Sequence, residues 1–452
     1  MAQEKKLRLN ILAEPVRKVD YLLFFVAAFL CALFFQQSDL LITAGGSLIY
    51  LNGHFSDLYA YATQHYTDLN YLPSTYLLFA LWNLPIRLIG LVTEPTITVS
   101  FFALLWYKLL PCLTYLSSAY LIYLLVREGG LAEDKGKIGA FLFLTTPIGF
   151  FSQFIFCQYD IFSVCLMLLA LVCWRKGAHW KFLLFFALSA TFKYYTFLFF
   201  IPFLLLKEKD ILKIFRDTAL FAVPVLLEVV LYFWDSSFLH SVFGFGAPNY
   251  IFETVWQTRL AGISIPLLIW AAVCAFCYLQ KPLKKDETLS YLVFTGMAVS
   301  FALFGLSAWH PQWLLLMCPF LALLIVVQPR KKATIGLEWL MTAVFFGYVV
   351  NVWYNNVDTK LFELGILRNV LPEDLLALPM KTLFGVGTPS IWITAFSGLL
   401  LILTVFAFPR FTYKSQEPAE LLTPVWLRSR FLLGIAVFII PAIISLLYAY
   451  SA

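Results

Sequence analysis

Polar side chains that could do chemistry follow the hydrophobic runs of this chain. Asp39 comes just after the first long hydrophobic run, where a carboxylate would lie at or just inside the lipid–water boundary. An acid at that depth costs free energy unless it faces a cavity or a partner, so its presence indicates a functional site. A carboxylate beside a cavity can accept a proton from an attacking hydroxyl as a general base. Asp39 is therefore our first candidate catalytic residue.

Further polar residues stand at comparable positions later in the chain: Gln158, Asp160, Lys193, Arg259, His310 and Gln312. Each has an ordinary explanation of its own, since an Asp can cap a helix and a Lys can extend to the interface. Together they favour a shared, water-filled cavity on one side of a membrane. Lys, Arg and His could hold a phosphate there.

The composition places the chain among membrane proteins. It has 452 residues, of which 61% are hydrophobic and 13% are charged, and its mean hydropathy is +0.83. A soluble protein carries roughly 25% charged residues, and apolar runs of roughly 20 residues suffice to cross a bilayer. We therefore predict an all-α polytopic membrane protein. The net charge is +6, and the positions of the Lys and Arg residues indicate which loops are cytoplasmic. The charge gives no sign of nucleic-acid binding.

Basic loops set the expected topology, because Lys and Arg mark cytoplasmic loops. The markers are Lys5–Lys18, Arg127–Lys137, Arg175–Lys181, Lys207–Arg216, Lys281–Lys285, Arg330–Lys332 and Arg410–Arg430. The first span then leads to an outer loop, and the return to Arg127 requires an odd number of crossings. We expect a span near 76–92 followed by a hairpin of two short helices broken near Pro111. Residues 182–206 should form two half-helices that turn near Lys193. The total comes to about 13 crossings plus broken half-helices.

Three regions follow from this pattern. Residues 1–19 form a cytoplasmic N-terminus, residues 20–330 form the main membrane module with an outer loop at 37–75, and residues 331–452 form C-terminal transmembrane helices with an outer loop at 355–388. The first outer loop is the richest in polar and aromatic residues. It contains His54, His65 and Tyr71, which we take as candidates for positioning a sugar or an acceptor.

Several short motifs resemble the glycosyltransferase-C (GT-C) superfamily of integral-membrane enzymes. They are Asp39 after the first span, Asn70-Tyr71-Leu72-Pro73-Ser74-Thr75-Tyr76, Cys157-Gln158-Tyr159-Asp160, Ala190-Thr191-Phe192-Lys193-Tyr194-Tyr195 and His310-Pro311-Gln312-Trp313. The chain is most similar to the bacterial branch of polyprenyl-phosphate-mannose-dependent mannosyltransferases, over roughly residues 20–330. It departs from the family at Cys157, where Gly is common, and in lacking a close pair of acids in the first loop. Asp57, Asp68 and Asp160 stay open as a second acid.

The resemblance implies an inverting glycosyltransferase that moves a hexose, such as mannose, from a polyprenyl phosphate to a glycan or glycolipid of the cell envelope. Asp39 would be the general base, and two amphipathic helices in the first outer loop would cover the cavity. Lys193, Arg259 and His310 would bind the donor phosphate, and Gln158, Asp160 and Gln312 would position sugar or acceptor. No cofactor is required, since a lipid phosphate is already a good leaving group, and we expect no divalent metal. The site would face the outside of the plasma membrane.

Two other classes fit some of these features. A transporter or flippase of lipid-linked saccharides would also have a polar outer cavity and broken helices. A polysaccharide polymerase or ligase would have many spans and large outer loops, but in such proteins the large loop falls later in the chain. Transfer of label from a lipid-linked sugar would separate these alternatives.

Overall fold

The computed structural model describes residues 15–97, 99–244, 246, 249–259, 261–353, 361, 365–369, 380–412 and 418–451. Within these ranges nearly all regular structure is helical, and the strands form one two-stranded hairpin. This agrees with the all-α class expected from the apolar composition. Most of the 355–388 loop predicted above lies outside the described residues.

The first half of the chain contains eleven helices, several of them short or bent. They are α1 (Lys18–Phe34), α2 (Ser38–Leu51), α3 (Leu58–His65), α4 (Pro73–Leu88), α5 (Phe101–Glu128), α6 (Glu133–Leu144), α7 (Pro147–Ile155), α8 (Ile161–Arg175), α9 (His179–Phe192), α10 (Thr196–Lys207) and α11 (Ile211–Tyr232).

The described part of the second half begins with two short helices and a β-hairpin and continues with longer helices. Its elements are α12 (Phe238–Phe243), α13 (Tyr250–Glu253), β1 (Val255–Gln257), β2 (Gly262–Ser264), α14 (Ile265–Leu279), α15 (Thr288–Gly305), α16 (Pro311–Val327), α17 (Lys331–Val352), α18 (Met380–Phe384), α19 (Pro389–Ala407) and α20 (Pro424–Ser451). A short 3-10 turn lies at Ile366–Asn369.

Five of the described helices are long and apolar enough to cross a membrane, and the number rises to seven when each of two bent pairs counts as one span. The five are α5, α15, α17, α19 and α20, and the pairs are α1 with α2 and α6 with α7. The expected count of about 13 spans is not confirmed. Several of the predicted spans are apolar helices of only 10–17 residues, which are too short to be counted as spans by themselves.

The expected hairpin at Pro111 is wrong. Pro111 lies inside α5, which continues unbroken for 28 residues. Proline is tolerated inside such helices when neighbouring groups satisfy the backbone that it frees. The basic loops require an odd number of crossings between the first outer loop and Arg127. Because α4 is not among the candidate spans, α5 alone can provide that single crossing.

The first outer loop contains the two helices expected there, α2 and α3. Most of α2 is buried against α4, so it is not a helix with one apolar and one solvent-facing side. Helix α3 has no side-chain cap of its own. Its first amides, on Tyr59 and Ala60, instead donate to the Asp235 carboxylate beyond α11, at 2.8 and 3.0 Å. A carboxylate at a helix N-terminus is stabilising, so Asp235 attaches this loop to the rest of the bundle.

A buried ion pair holds the opposite end of the molecule. Arg430 was expected in a basic loop but lies inside α20, fully buried, and its guanidinium meets the Glu338 carboxylate of α17 at 2.6 and 2.7 Å. Its other N–H groups donate to the Leu142 carbonyl and to the hydroxyls of Thr145 and Thr146, where the chain bends between α6 and α7. All five guanidinium donors are therefore used.

We predict that Arg430→Met and Glu338→Leu each destabilise the protein by about 3–5 kcal/mol, because each leaves one charge buried without its partner. Thermal unfolding of the purified protein in detergent measures this. The double variant Arg430→Met/Glu338→Leu should recover part of the loss. Lys213→Gln, which removes an exposed ion pair with Asp210, should change stability by less than about 1 kcal/mol. Single variants as stable as the wild type would contradict the prediction.

Candidate active site

The position of Asp39 depends on how α1 ends. The buried Lys108 ammonium of α5 donates to the carbonyls of Ala32 and Phe35, the latter at 2.6 Å. A cation at a helix C-terminus satisfies carbonyls that have no partner within the helix. The chain then turns by 73° into α2 and places Asp39 in its first turn. The positive end of the α2 dipole favours the charged carboxylate there.

The turn before α8 brings Gln158 towards Asp39. Helix α7 ends in a π-helical turn, Phe151–Ile155. After it, the backbone N–H of Gln158 donates a hydrogen bond to the Ser152 carbonyl at 3.1 Å. Cys157 adopts a φ of 57°, in the left-handed region that favours Gly.

The turn before α16 has a related construction. Helix α15 also ends in a π-helical turn, Phe301–Gly305. The buried Trp309 indole then donates to the Phe304 carbonyl at 2.8 Å, which orients the turn that carries His310 and Gln312. Single π-helical turns inside or at the ends of α-helices are frequent at functional sites. Here two of them precede the two turns that meet Asp39.

The two turns converge on one oxygen of Asp39. The side-chain amides of Gln158 and Gln312 each donate to Asp39 Oδ2 at 3.4 Å. Both glutamine side chains are buried, whereas Asp39 is half-buried. These are long hydrogen bonds, as is common in catalytic sites without substrate. The arrangement holds the carboxylate in one orientation at the wall of a cavity.

Lys193 lies in the break between α9 and α10, as the sequence predicted. Its ammonium meets the Asp160 carboxylate at 3.1 Å and lies 5.2 Å from the ring centres of both Tyr71 and Trp313. The Lys193 and Asp160 side chains are only 6% and 0% exposed. Burying either charge alone would be costly, so each requires the other.

Two cavities meet at Asp39. The larger, of about 260 Å³, is lined by Asp39, Tyr71, Lys193, His310, Gln312 and Trp313, among others. The smaller, of about 60 Å³, shares Asp39, His310 and Gln312 and adds Gln37 and Trp353. The carboxylate is therefore accessible from two sides, one of which carries the buried lysine.

His310 is held as a neutral ring. It packs against Trp353, with ring centres 4.0 Å apart, and against Trp313 at 5.0 Å. Burial lowers the pKa of His310 to about 4, and the nearby charge of Lys193 contributes to this lowering. A neutral imidazole can donate or accept a hydrogen bond but adds no positive charge for a phosphate.

Five of the predicted site residues do not line the larger cavity, and one of them, Gln158, instead contacts Asp39 through its side-chain amide. Arg259 lies exposed between β1 and β2. His54 pairs with Asp57 at 3.0 Å and stacks on Tyr61, and His65 is exposed at the end of α3. Asp160 contacts Lys193, and neither cavity that meets Asp39 includes it in its wall.

Sequence reasoning missed Trp353 and Gln37, which line the smaller cavity. Trp353 ends α17, far from the recognised motifs, and no sequence signal marked it. Gln37 could have been found, because it directly precedes the helix that carries Asp39 and its side chain accepts from the Asp39 amide. Among the described residues, no three His, Cys, Asp or Glu side chains group as a metal site would require.

No protein-family model matches the chain, and neither a curated protein nor a solved structure matches it. The site must therefore be interpreted from its own geometry and chemistry.

We predict that the lowered pKa of His310 makes stability fall in acid. The unfolded state takes up this proton near pH 6.5 but the folded state only near pH 4. The contribution of His310 is thus complete above about pH 6.5 and is lost progressively down to about pH 4, with a total on the order of 3 kcal/mol.

His310→Gln tests this, because Gln keeps polarity without titrating. The difference in stability between wild type and variant, followed by thermal unfolding from pH 7.5 to pH 4, should shrink or reverse in acid. A difference independent of pH would show that His310 is not held neutral.

Proposed function

We propose that this protein is an inverting glycosyltransferase that takes a sugar from a polyprenyl phosphate. The observation that carries the proposal is Asp39, a half-buried carboxylate where two cavities meet, with a buried lysine in the wall of the larger one. The bundle carries no recognised nucleotide-binding loop, so an activated donor from the membrane is the economical choice. The resemblance of the outer-turn motifs to GT-C enzymes points the same way.

The larger cavity suits the donor. An ammonium has three N–H groups, and Asp160 engages the Lys193 ammonium from one side, which leaves donors for a phosphate. The rings of Tyr71 and Trp313 flank the same ammonium and offer apolar faces for a sugar. Gln312 also lines this cavity and would orient sugar hydroxyls.

The smaller cavity suits the acceptor. Inversion requires the acceptor oxygen to approach the anomeric carbon from the side opposite to the phosphate. A hydroxyl in the smaller cavity would meet Asp39, which takes its proton as the bond from that oxygen to the anomeric carbon forms. The bond from the anomeric carbon to the phosphate oxygen breaks at the same time, and Lys193 stabilises the charge that develops on the phosphate.

In this scheme the acid–base chemistry comes from Asp39 and the charge stabilisation from Lys193, and a lipid phosphate leaves without further activation. The acceptor is a glycan or glycolipid. The bundle would have more crossings than the five to seven candidates, since α8, α10, α14 and α16 are short apolar helices beside the site. The basic loops favour the outer face of the plasma membrane for this site.

Asp39→Asn should lower the rate of sugar transfer about 100-fold or more, because the amide cannot accept the proton. The assay offers purified protein in lipid nanodiscs a panel of radiolabelled polyprenyl-phosphate sugars, with an envelope extract as acceptor. The control is Asp57→Asn, an exposed acid outside the cavity, which should keep full activity.

Near-complete transfer by Asp39→Asn would exclude Asp39 as the base. Label that crosses liposomes without any new glycosidic bond would favour the transporter, and transfer of preassembled chains would favour the polymerase or ligase.

The double variant Asp160→Asn/Lys193→Gln should fold but bind the donor weakly. It removes both charges of the buried pair, so neither remains without a partner, while the phosphate loses its cation. The KM for the donor should rise about tenfold or more, in line with the loss of a charged hydrogen bond of roughly 1.5–3 kcal/mol. Lys193→Arg, which keeps the charge, should recover part of it. An unchanged KM in the folded double variant would remove Lys193 from phosphate binding.

A further inference from the structure

A second large cavity lies at the end of the molecule that carries the basic loops. It has a volume of about 900 Å³ and is bounded by the residues before α1, the first turns of α6, the C-terminal end of α16, the start of α17 and the segment before α20. None of the residues of the Asp39 site contributes to it. The proposed transfer reaction does not use this cavity.

Positive charge dominates its lining. The cations are Arg17, Lys135, Lys137 and Lys331, and the single lining acid is Asp134. Lys137 pairs with Glu133 at 2.9 Å. No ion pair of Lys135 is present among the described residues, and its charge acts repulsively on Lys331. Two like charges directed at one cavity favour an anion between them.

Lys331 is the most constrained of these cations. Its side chain is almost completely buried, and its ammonium donates to the carbonyls of Val326 and Gln328 at the end of α16, at 3.1 and 2.6 Å. An ammonium has three donors, so one remains for a ligand. The helix end thus holds a buried charge in place at the cavity wall, and Glu420 offsets it only from a distance, since its carboxylate binds the Lys332 amide.

Aliphatic side chains form the rest of the wall: Val16, Ile138, Ile325, Val326, Leu421 and Leu422. Leu421 and the nearby Val425 are 80% and 68% exposed, so the apolar wall continues onto the outer surface of the bundle. A free phosphate would contact only the cations and would leave these aliphatic side chains exposed to water. A lipid would place its headgroup among the cations and its glycerol and first methylenes against the wall.

We propose that this cavity binds the phosphate headgroup of an anionic lipid of the cytoplasmic leaflet. The basic loops put this end of the molecule at that leaflet, where each Lys or Arg contributes attraction to anionic headgroups. The bound headgroup neutralises the facing lysines and bridges α6, α16 and α17.

The test uses the full chain, delipidated in nonionic detergent, and measures bound lipid by native mass spectrometry during titration with phosphatidylglycerol, phosphatidylcholine or inorganic phosphate. The cavity variant is Lys135→Gln/Lys331→Gln. The matched control is Lys281→Gln/Lys284→Gln, which removes the same charge from exposed positions on the same side but outside the cavity. Lys135→Glu serves as a second variant, because Lys135 makes no described structural contact that its loss would break.

We expect phosphatidylglycerol to bind the wild type and the control alike, and the cavity variant about tenfold more weakly. Lys135→Glu should weaken binding to a similar degree. Equal affinity for phosphatidylglycerol and phosphatidylcholine, or equal phosphatidylglycerol binding by all variants, would overturn the proposal. Inorganic phosphate that binds and is not displaced by phosphatidylglycerol would also overturn it, in favour of a soluble anion. Lipid binding that appears only after removal of residues 1–14 would assign the cavity to that segment.

Discussion

The ion pair between Asp160 and Lys193 is the interaction on which the outer site depends. Both side chains are almost completely buried, and their charged atoms are 3.1 Å apart. In a low-dielectric interior neither charge is tolerable without the other, and loss of one partner typically costs about 3–5 kcal/mol. The pair joins the turn before α8 to the break between α9 and α10. It therefore fixes the ammonium between Tyr71 and Trp313 and, through the same turn, fixes Gln158 beside Asp39.

Three helix breaks among the described residues are stabilised by side chains that donate hydrogen bonds to backbone carbonyls. Lys108 binds the last carbonyls of α1, Trp309 binds the turn after α15, and Arg430 binds the bend between α6 and α7. A backbone group without a partner costs free energy of the order of a lost hydrogen bond, and more in lipid.

The two ends of the bundle use charge differently. At the outer end, a cation and an acid neutralise each other, and a second acid, Asp39, faces a cavity. At the basic end, Arg430 and Glu338 neutralise each other, while Lys135 and Lys331 face a cavity without an equal number of acids in its wall. Each cavity therefore has a local charge that its own wall does not balance. The unbalanced charge is negative at Asp39 and positive at the lysines.

Much of the fold and of the candidate site could be predicted from the sequence, because a polar residue at the end of an apolar run can be recognised from its sequence neighbours alone. The helical class and the break at Lys193 follow from hydropathy and from the placement of the basic loops, whereas the two helices of the first outer loop were implied by the resemblance to GT-C enzymes. Asp39, Gln158, Lys193, His310 and Gln312 could be chosen as candidate site residues in the same way, and the structure brings these five to one place.

Other features were decided by tertiary contacts. Pro111 does not break α5, which continues through it for 28 residues. The two π-helical turns and the positive φ of Cys157 precede the turns that carry Gln158 and Gln312. No residue pattern in the sequence predicts them. Arg259 looked equivalent to Lys193 in sequence, yet it is exposed on a hairpin. Arg430 looked like a loop residue but is fully buried, because its partner Glu338 lies far away in sequence and only the packing of α17 against α20 brings them together.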